Sequence, residues 1–299
     1  MKARSEVHGA VSIVNAIASG KGSALGISLK VIAEVEMKKG FETKIISQNT
    51  NDYSLVVSII NEIINRYSLP FSGAEITIHS EIPVGKGLKS SSAVGCAVAL
   101  AACGSCGIEP DDQTILDIVV QSSLDSGVSI TGALDDSAAC YFGGVVLTDN
   151  LSRKIIKHVE FNEDLNVVLY VPDNESLTKN VDANSLKLYS NIVNHVFNMA
   201  INGSFLDAIT INGLIYSTAL NYSFEPVRLA ISHGALAAGL SGTGPSVAIL
   251  CNDDSLDSIV SSIEKLEGSV IKTKVNNKKA KVIISQFLYH PRNQFLKVL

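Results

Sequence analysis

The stretch Pro83-Val84-Gly85-Lys86-Gly87-Leu88-Lys89-Ser90-Ser91-Ser92-Ala93 constrains this chain more than any other, because of what flanks it. Before it, Glu75-Ile76-Thr77-Ile78-His79-Ser80-Glu81-Ile82 alternates apolar and polar side chains, which predicts a half-buried strand that Pro83 ends. After it, Ala93 to Cys103 carries no charge and little bulk, so a helix there packs on all sides and stops near Gly104. Gly85 and Gly87 allow positive φ and a close approach of backbone to a ligand. The first free N–H groups of the helix add donors and partial positive charge, which suits a polyphosphate. Ser90, Ser91 and Ser92 stand where one hydroxyl caps the helix and another reaches a magnesium ion, and Lys86 or Lys89 adds charge. A glycine turn with a serine cap explains the same residues locally. The stretch is not a Walker A loop, because Leu88 precedes Lys89-Ser90, and not a dinucleotide fingerprint, because Ser90 takes the third glycine position.

Composition narrows the partners. The chain has 299 residues, enough for two domains, with 46% hydrophobic and 18% charged residues. A formal net charge of -5 disfavours a nucleic-acid surface, and the Lys272 to Lys281 run reads as a solvated hairpin. There is no apolar run of the ~20 residues that span a bilayer, and Met1-Lys2-Ala3-Arg4-Ser5-Glu6 leads into no signal-peptide core. The expectation is a cytoplasmic protein without a membrane partner. Cys96, Cys103, Cys140 and Cys251 are expected to be buried thiols. Cys103-Gly-Ser-Cys106 lacks the second pair that zinc needs.

Along the chain, residues 9–26 read as strand and then a small-residue loop. Residues 27–38, 43–47 and 75–82 read as strands, with a helix over 52–68. Pro110-Asp111-Asp112 opens a helix. Further strands are expected at 145–148, 154–161 and 166–171, with helices at 185–201, 205–220 and 226–232. Strands at 235–240, 247–251, 270–274 and 281–285, with a helix over 256–266, predict a second sheet. The division falls at 1–150 and 151–299.

Two other stretches carry chemistry. Asp125 to Gly144 sets Asp125, Asp135 and Asp136 among small residues, where carboxylates can hold magnesium or accept a hydroxyl proton, or merely cap a helix. Gly239 to Leu250 is a glycine hairpin between apolar strands.

In this order the three stretches resemble the GHMP kinases, small-molecule kinases that include galactokinase, homoserine kinase and mevalonate kinase. Ser12 to Ala24 and Gly132 to Ala138 resemble the archaeal-type shikimate kinase branch. The resemblance implies an α+β fold, with an N-terminal ribosomal protein S5 domain 2-like domain and a C-terminal ferredoxin-like domain. It implies ATP and Mg2+ as cofactors, shikimate as the small-molecule acceptor, and a monomer or homodimer. By resemblance, Pro83, Gly85, Lys86, Gly87, Leu88, Lys89, Ser90, Ser91 and Ser92 wrap the ATP phosphates. Ser90 or Ser91 and Asp125 touch magnesium, and Asp136 is the catalytic aspartate. Relatives usually have glutamate at the Asp125 position. Asn15, Lys21, Thr131 and Asp135, with Gly242, Thr243 and Gly244 of the hairpin, are the acceptor candidates. Arg228 is a further candidate for the substrate carboxylate. At Gly9-Ala10 the chain lacks the Gly-Lys pair by which galactokinase and mevalonate kinase place a lysine beside the aspartate. Homoserine or mevalonate as acceptor, or a catalytically silent metabolite-binding regulator, are the competing expectations.

Overall fold

The computed structural model describes residues 1–47, 53–173 and 182–283. Its spine is β2 (Lys21–Lys38), whose alternation from Ile27 to Met37 buries one row of side chains and leaves the other half-exposed. β1 (Lys2–Val14) pairs antiparallel along its length. The opposite edge of β2 is shared: β5 (Val145–Asp149) pairs with Lys21 to Leu25, and β4 (Gly73–Ser80) with Val31 to Lys38. β3 (Lys44–Ser47) joins β4 in parallel, β6 (Lys154–Val159) joins β5, and β11 (Lys281–Ile283) joins β1.

The loop expected at the end of the 9–26 stretch is instead largely the start of β2. Its small residues mark a close approach within a strand: a Cβ at Gly26 would lie 2.7 Å from the Asn276 carbonyl oxygen and 2.9 Å from Gly143 Cα.

One face of this sheet carries α1 (Ser54–Arg66), α2 (Ser90–Ser105), α3 (Asp112–Asp125) and α4 (Leu134–Phe142). α2 touches β1, β2 and the three other helices, as an uncharged helix of alanine, valine and cysteine must to be stable in water. A Cβ at Gly95 would lie 2.9 Å from Val119 Cγ1, so glycine there sets how closely α3 approaches. Asp111 caps α3 by accepting from Thr114 N at 2.7 Å. Cys96, Cys103, Cys140 and Cys251 are buried free thiols as expected.

The second sheet is antiparallel in the order β10 (Ser269–Lys274), β7 (Asn166–Val171), β9 (Val247–Cys251), β8 (Ala237–Leu240). One face packs on α8 (Glu225–Ser232) and α9 (Asp253–Ile263) through Val227, Ala230, Ile259 and Ile263. The other face carries α6 (Ser190–Ile201) and α7 (Phe205–Ala219), reached through the short α5 (Ala183–Leu186). α6 and α7 also pack on β1, so the two sheets share one layer of helices. A Cβ at Gly213 of α7 would lie 2.4 Å from Gly239 Cα, and this close contact fixes where the hairpin after β8 emerges.

The layers are α+β as expected, but the sheets do not divide at residue 150. β6 and β11 lie beyond that point and both join the first sheet, so the chain crosses to the second sheet after β6 and returns at its end. Asp52 of the helix expected at 52–68, and residues 284–285 of the strand expected at 281–285, lie outside the described residues.

Candidate active site

The turn after β1, the glycine loop before α2, the approach to α4 and the hairpin after β8 surround one cleft with a cavity of about 350 Å³. The loop reaches its shape through left-handed residues at Gly85 (φ 68), Gly87 (φ 76) and Lys89 (φ 64). Gly87 is a glycine because backbone crowds it: a Cβ there would lie 2.1 Å from the Ser241 carbonyl oxygen. Leu88 is buried in the core and anchors the loop, leaving its backbone to face the cleft. Beyond Lys89, the first-turn amides of Ser90, Ser91 and Ser92 have no partner within their own helix and sit at its positive end.

Hydrogen bonds between distant stretches lock this arrangement. Ser241 Oγ donates to the Gly87 carbonyl at 2.8 Å and accepts from Ser12 N at 3.2 Å. Ser12 Oγ accepts from Gly242 N at 2.9 Å, and Asn15 Nδ2 donates to the Gly242 carbonyl at 2.9 Å. The turn is held from below by Asn212 of α7, whose Oδ1 accepts from Asn15 N at 3.0 Å.

The two lysines of the loop are used differently. Lys86 Nζ donates to the carbonyls of Pro172 (2.8 Å) and Asp173 (2.7 Å) at the end of β7, so its charge ties the loop to the second sheet. Lys89 turns inward. Its side chain is 6% exposed, and Nζ donates to Ser12 Oγ at 2.8 Å and lies 3.0 Å from Asp136 Oδ1. Asp136 Oδ1 is off the line of a directed hydrogen bond, so the contact is an ion pair. Lys89 is thus the lysine that stands beside Asp136 in this chain, where Gly9-Ala10 carries none.

Asp135 and Asp136 open α4 side by side, and both line the cleft. Burial, reinforced by the charge of Asp136, pushes the Asp135 carboxyl up to about 7 against the opposing pull of Lys89 and Asn150. Ala133 offers α4 no side-chain cap, and Asn150 supplies one from the turn after β5. Its Oδ1 accepts from Asp135 N (3.3 Å) and from Thr148 Oγ1 (2.6 Å). Its Nδ2 donates to Asp135 Oδ1 (2.9 Å) and Thr131 Oγ1 (3.2 Å).

Of the expected acceptor residues, the cleft brings together Asn15, Thr131, Asp135, Gly242 and Thr243. Lys21 does not join them: it is exposed, and its backbone pairs with Asp149. Gly244 closes the hairpin by donating to the Ser241 carbonyl at 2.9 Å and packs on Tyr222, away from the lining. Arg228 is exposed on α8 and paired with Glu225 at 2.6 Å. Asp125 departs furthest from expectation. It is exposed at the end of α3, accepts from Gln121 Nε2 at 2.8 Å, and faces a separate groove with Ser58, Asn61 and Glu62. Helical phase is the reason, since Ser123, not Asp125, is the α3 residue that lines the cleft. No cluster of three His, Cys, Asp or Glu that could hold a metal occurs among the described residues.

One end of the cleft is apolar, with Leu55, Val56, Ile78, Val84 and Val94; the other holds the carboxylates and Lys89. Neither Ser12, inside β1, nor Asn150, at the turn after β5, was singled out from the sequence as a site residue.

Comparison with known proteins places these features. Residues 54–144 match the GHMP kinases N terminal domain and residues 225–267 the GHMP kinases C terminal domain. The chain is 40% identical over 284 residues to the shikimate kinase of Methanothrix thermoacetophila, covering 94% of this chain and 96% of that protein. It is 39% identical over 281 residues to the shikimate kinase of Methanothermobacter thermautotrophicus, covering 92% and 96%. In structure it resembles the mevalonate kinase of Methanococcus jannaschii with TM-score 0.73 at 16% identity, covering 93% of this chain and 98% of that one.

Proposed function

The chain belongs to the GHMP kinases and to their archaeal shikimate kinase branch, and from that premise we propose how its cleft phosphorylates shikimate. The enzyme transfers the γ-phosphoryl group of ATP, with Mg2+, to the 3-hydroxyl of shikimate, giving 3-phosphoshikimate and ADP. We place it in the cytoplasm, as a monomer or homodimer. No helix among the described residues is long and apolar enough to cross a membrane.

The single observation that carries the assignment of roles is the buried Lys89–Asp136 pair at the mouth of the phosphate loop. The backbone of Gly85 to Gly87 and the first-turn amides of α2 hold the phosphates, while Leu55, Val56 and Ile78 receive the adenine. Ser90 and Ser91 are hard oxygen donors of the kind magnesium takes, and the remaining ligands come from phosphate and water. Bound there, the metal neutralises charge that accumulates on the phosphoryl oxygens. Asp136 orients the acceptor hydroxyl and takes its proton as the new oxygen–phosphorus bond forms and the bond to ADP breaks. Lys89 keeps that carboxylate in place and offers a cation to the phosphoryl oxygens. Asn15, Thr131, Asp135 and Thr243 contact the acceptor.

The test is turnover of purified protein with ATP, Mg2+ and each of shikimate, homoserine and mevalonate, following ADP release. Shikimate is expected to be used far faster, and Asp136→Asn to lower kcat by about 10²-fold or more while ATP binding survives. Faster turnover of another alcohol overturns the acceptor, and unimpaired turnover by Asp136→Asn overturns the catalytic role.

A further inference from the structure

The amide of Asn150 has two donors and two acceptor sites, and all four are used inside the protein. Its orientation is therefore fixed: a flipped amide would set its oxygen against the Asp135 carboxyl and its NH2 against Asp135 N–H. Two consequences reach the cleft. Thr131 Oγ1 accepts from Asn150 Nδ2 at 3.2 Å and from Ala133 N at 3.4 Å, so its acceptor capacity is taken and its proton is left to point elsewhere. Asp135 Oδ1 accepts from the same nitrogen at 2.9 Å, while Oδ2 lies over Gly22, where a Cβ would approach it to 2.1 Å. A hydroxyl donor and a carboxyl acceptor thus stand together, both bonded to one nitrogen and both lining the cleft.

We propose that Asn150 is a positioning residue that sets Thr131 as donor and Asp135 as acceptor for a second hydroxyl of the substrate, next to the one phosphorylated. A hydroxyl is the group that can accept from one partner and donate to the other. Asp135 and Asp136 are consecutive at the start of α4, so adjacent carboxyls meet adjacent hydroxyls: Asp136 takes the reacting one and Asp135 with Thr131 takes its neighbour. The cleft is then selective for a vicinal diol over a lone alcohol. Removing the neighbouring hydroxyl leaves the Thr131 proton and the second Asp135 oxygen unpaired in the cleft, which costs more than the contact itself.

This rests on the assignment of shikimate as acceptor, and the experiment separates the two. For wild type, Thr131→Val and Asn150→Ala, kcat/KM is measured with shikimate, 4-deoxyshikimate and 5-deoxyshikimate, together with KM for ATP. Wild type is expected to prefer shikimate over the 4-deoxy compound by about 10²-fold, with a smaller loss for the 5-deoxy compound. In Thr131→Val that preference collapses to below about 10-fold, because shikimate is used less well while the 4-deoxy compound is unaffected. Asn150→Ala shows the same collapse with KM for ATP within about twofold of wild type, which a general loosening of the fold does not produce. Unchanged preference in Thr131→Val, or equal use of shikimate and its 4-deoxy analogue by wild type, overturns the proposal alone. No turnover of shikimate by wild type overturns the acceptor assignment and this proposal with it. Should Asn150→Ala not yield folded protein, Thr131→Val decides.

Discussion

Replacing Lys89 by methionine removes the ammonium and keeps most of the stem, leaving Asp136 without its cation. At the 3.0 Å separation of Nζ and Oδ1, an effective dielectric constant of about 20 gives a gross attraction of about 5 kcal/mol. Asp136 is 19% exposed, so water replaces part of that, and about half of it, 2–3 kcal/mol, is the expected net loss. If the lost attraction is one the transition state needs, kcat falls by about 10²-fold. Lys89→Gly makes the reasoning sharper. Lys89 holds φ 64, a left-handed conformation that costs a side-chain-bearing residue about 1 kcal/mol and glycine almost nothing. Glycine and methionine should therefore lose activity equally, and in urea melts the strain that glycine relieves offsets part of the stability lost with the buried Lys89 stem. ADP release gives kcat and urea melts give stability. A kcat within about threefold of wild type in both variants refutes the pairing as a catalytic device.

Asp135, with its raised carboxyl, adds stability that is fully present below the ordinary aspartate range near pH 4 and is lost as pH rises through about 7. Asp135→Asn lacks this titration, so its melting temperature relative to wild type should climb between pH 4 and pH 8; a flat difference shows that the carboxyl is not destabilised in the fold. Asp125→Ala removes an exposed carboxylate that accepts from Gln121. It should leave kcat and the magnesium dependence within about twofold of wild type, and a clear rise in the magnesium requirement restores Asp125 as a ligand.

What could be read from the chain was whatever leaves a local pattern. The alternation before Pro83, the uncharged run from Ala93 to Cys103 and the glycines between them place strand, helix and loop as the structure has them. Period and composition are short-range quantities, and these elements are short-range facts. The start of β2 was misread because Gly22 and Gly26 look like loop glycines until Asp135 and Gly143, each more than a hundred residues away, arrive against them. Asp125 was misplaced for a related reason. The family resemblance put it at the magnesium, but two residues along a helix is about 200° of rotation, which separates it from the cleft-lining Ser123. The side-chain geometry of Lys89 and Asn150 depends on partners in β1, α4 and the turn after β5, which no single stretch discloses.

Placing the lysine in the loop changes what the site can couple. In β1, Ala10 is fully buried, and a Cβ on neighbouring Gly9 would meet Ile82 at 2.9 Å, so a lysine there has little space to cross the sheet. At position 89 the backbone closes the phosphate loop and starts α2, while the side chain holds Asp136 and Ser12. Ser12 in turn holds the hairpin through Gly242 N. A movement of the loop by even an ångström or so, as phosphates enter or leave, acts on the ion pair directly, because loop and ammonium belong to one residue. A lysine on β1 would feel that movement only through intervening contacts. On the roles proposed for the loop and Asp136, seating the nucleotide and aiming the carboxylate would be one conformational step, with the left-handed strain at Lys89 as the local cost of joining them.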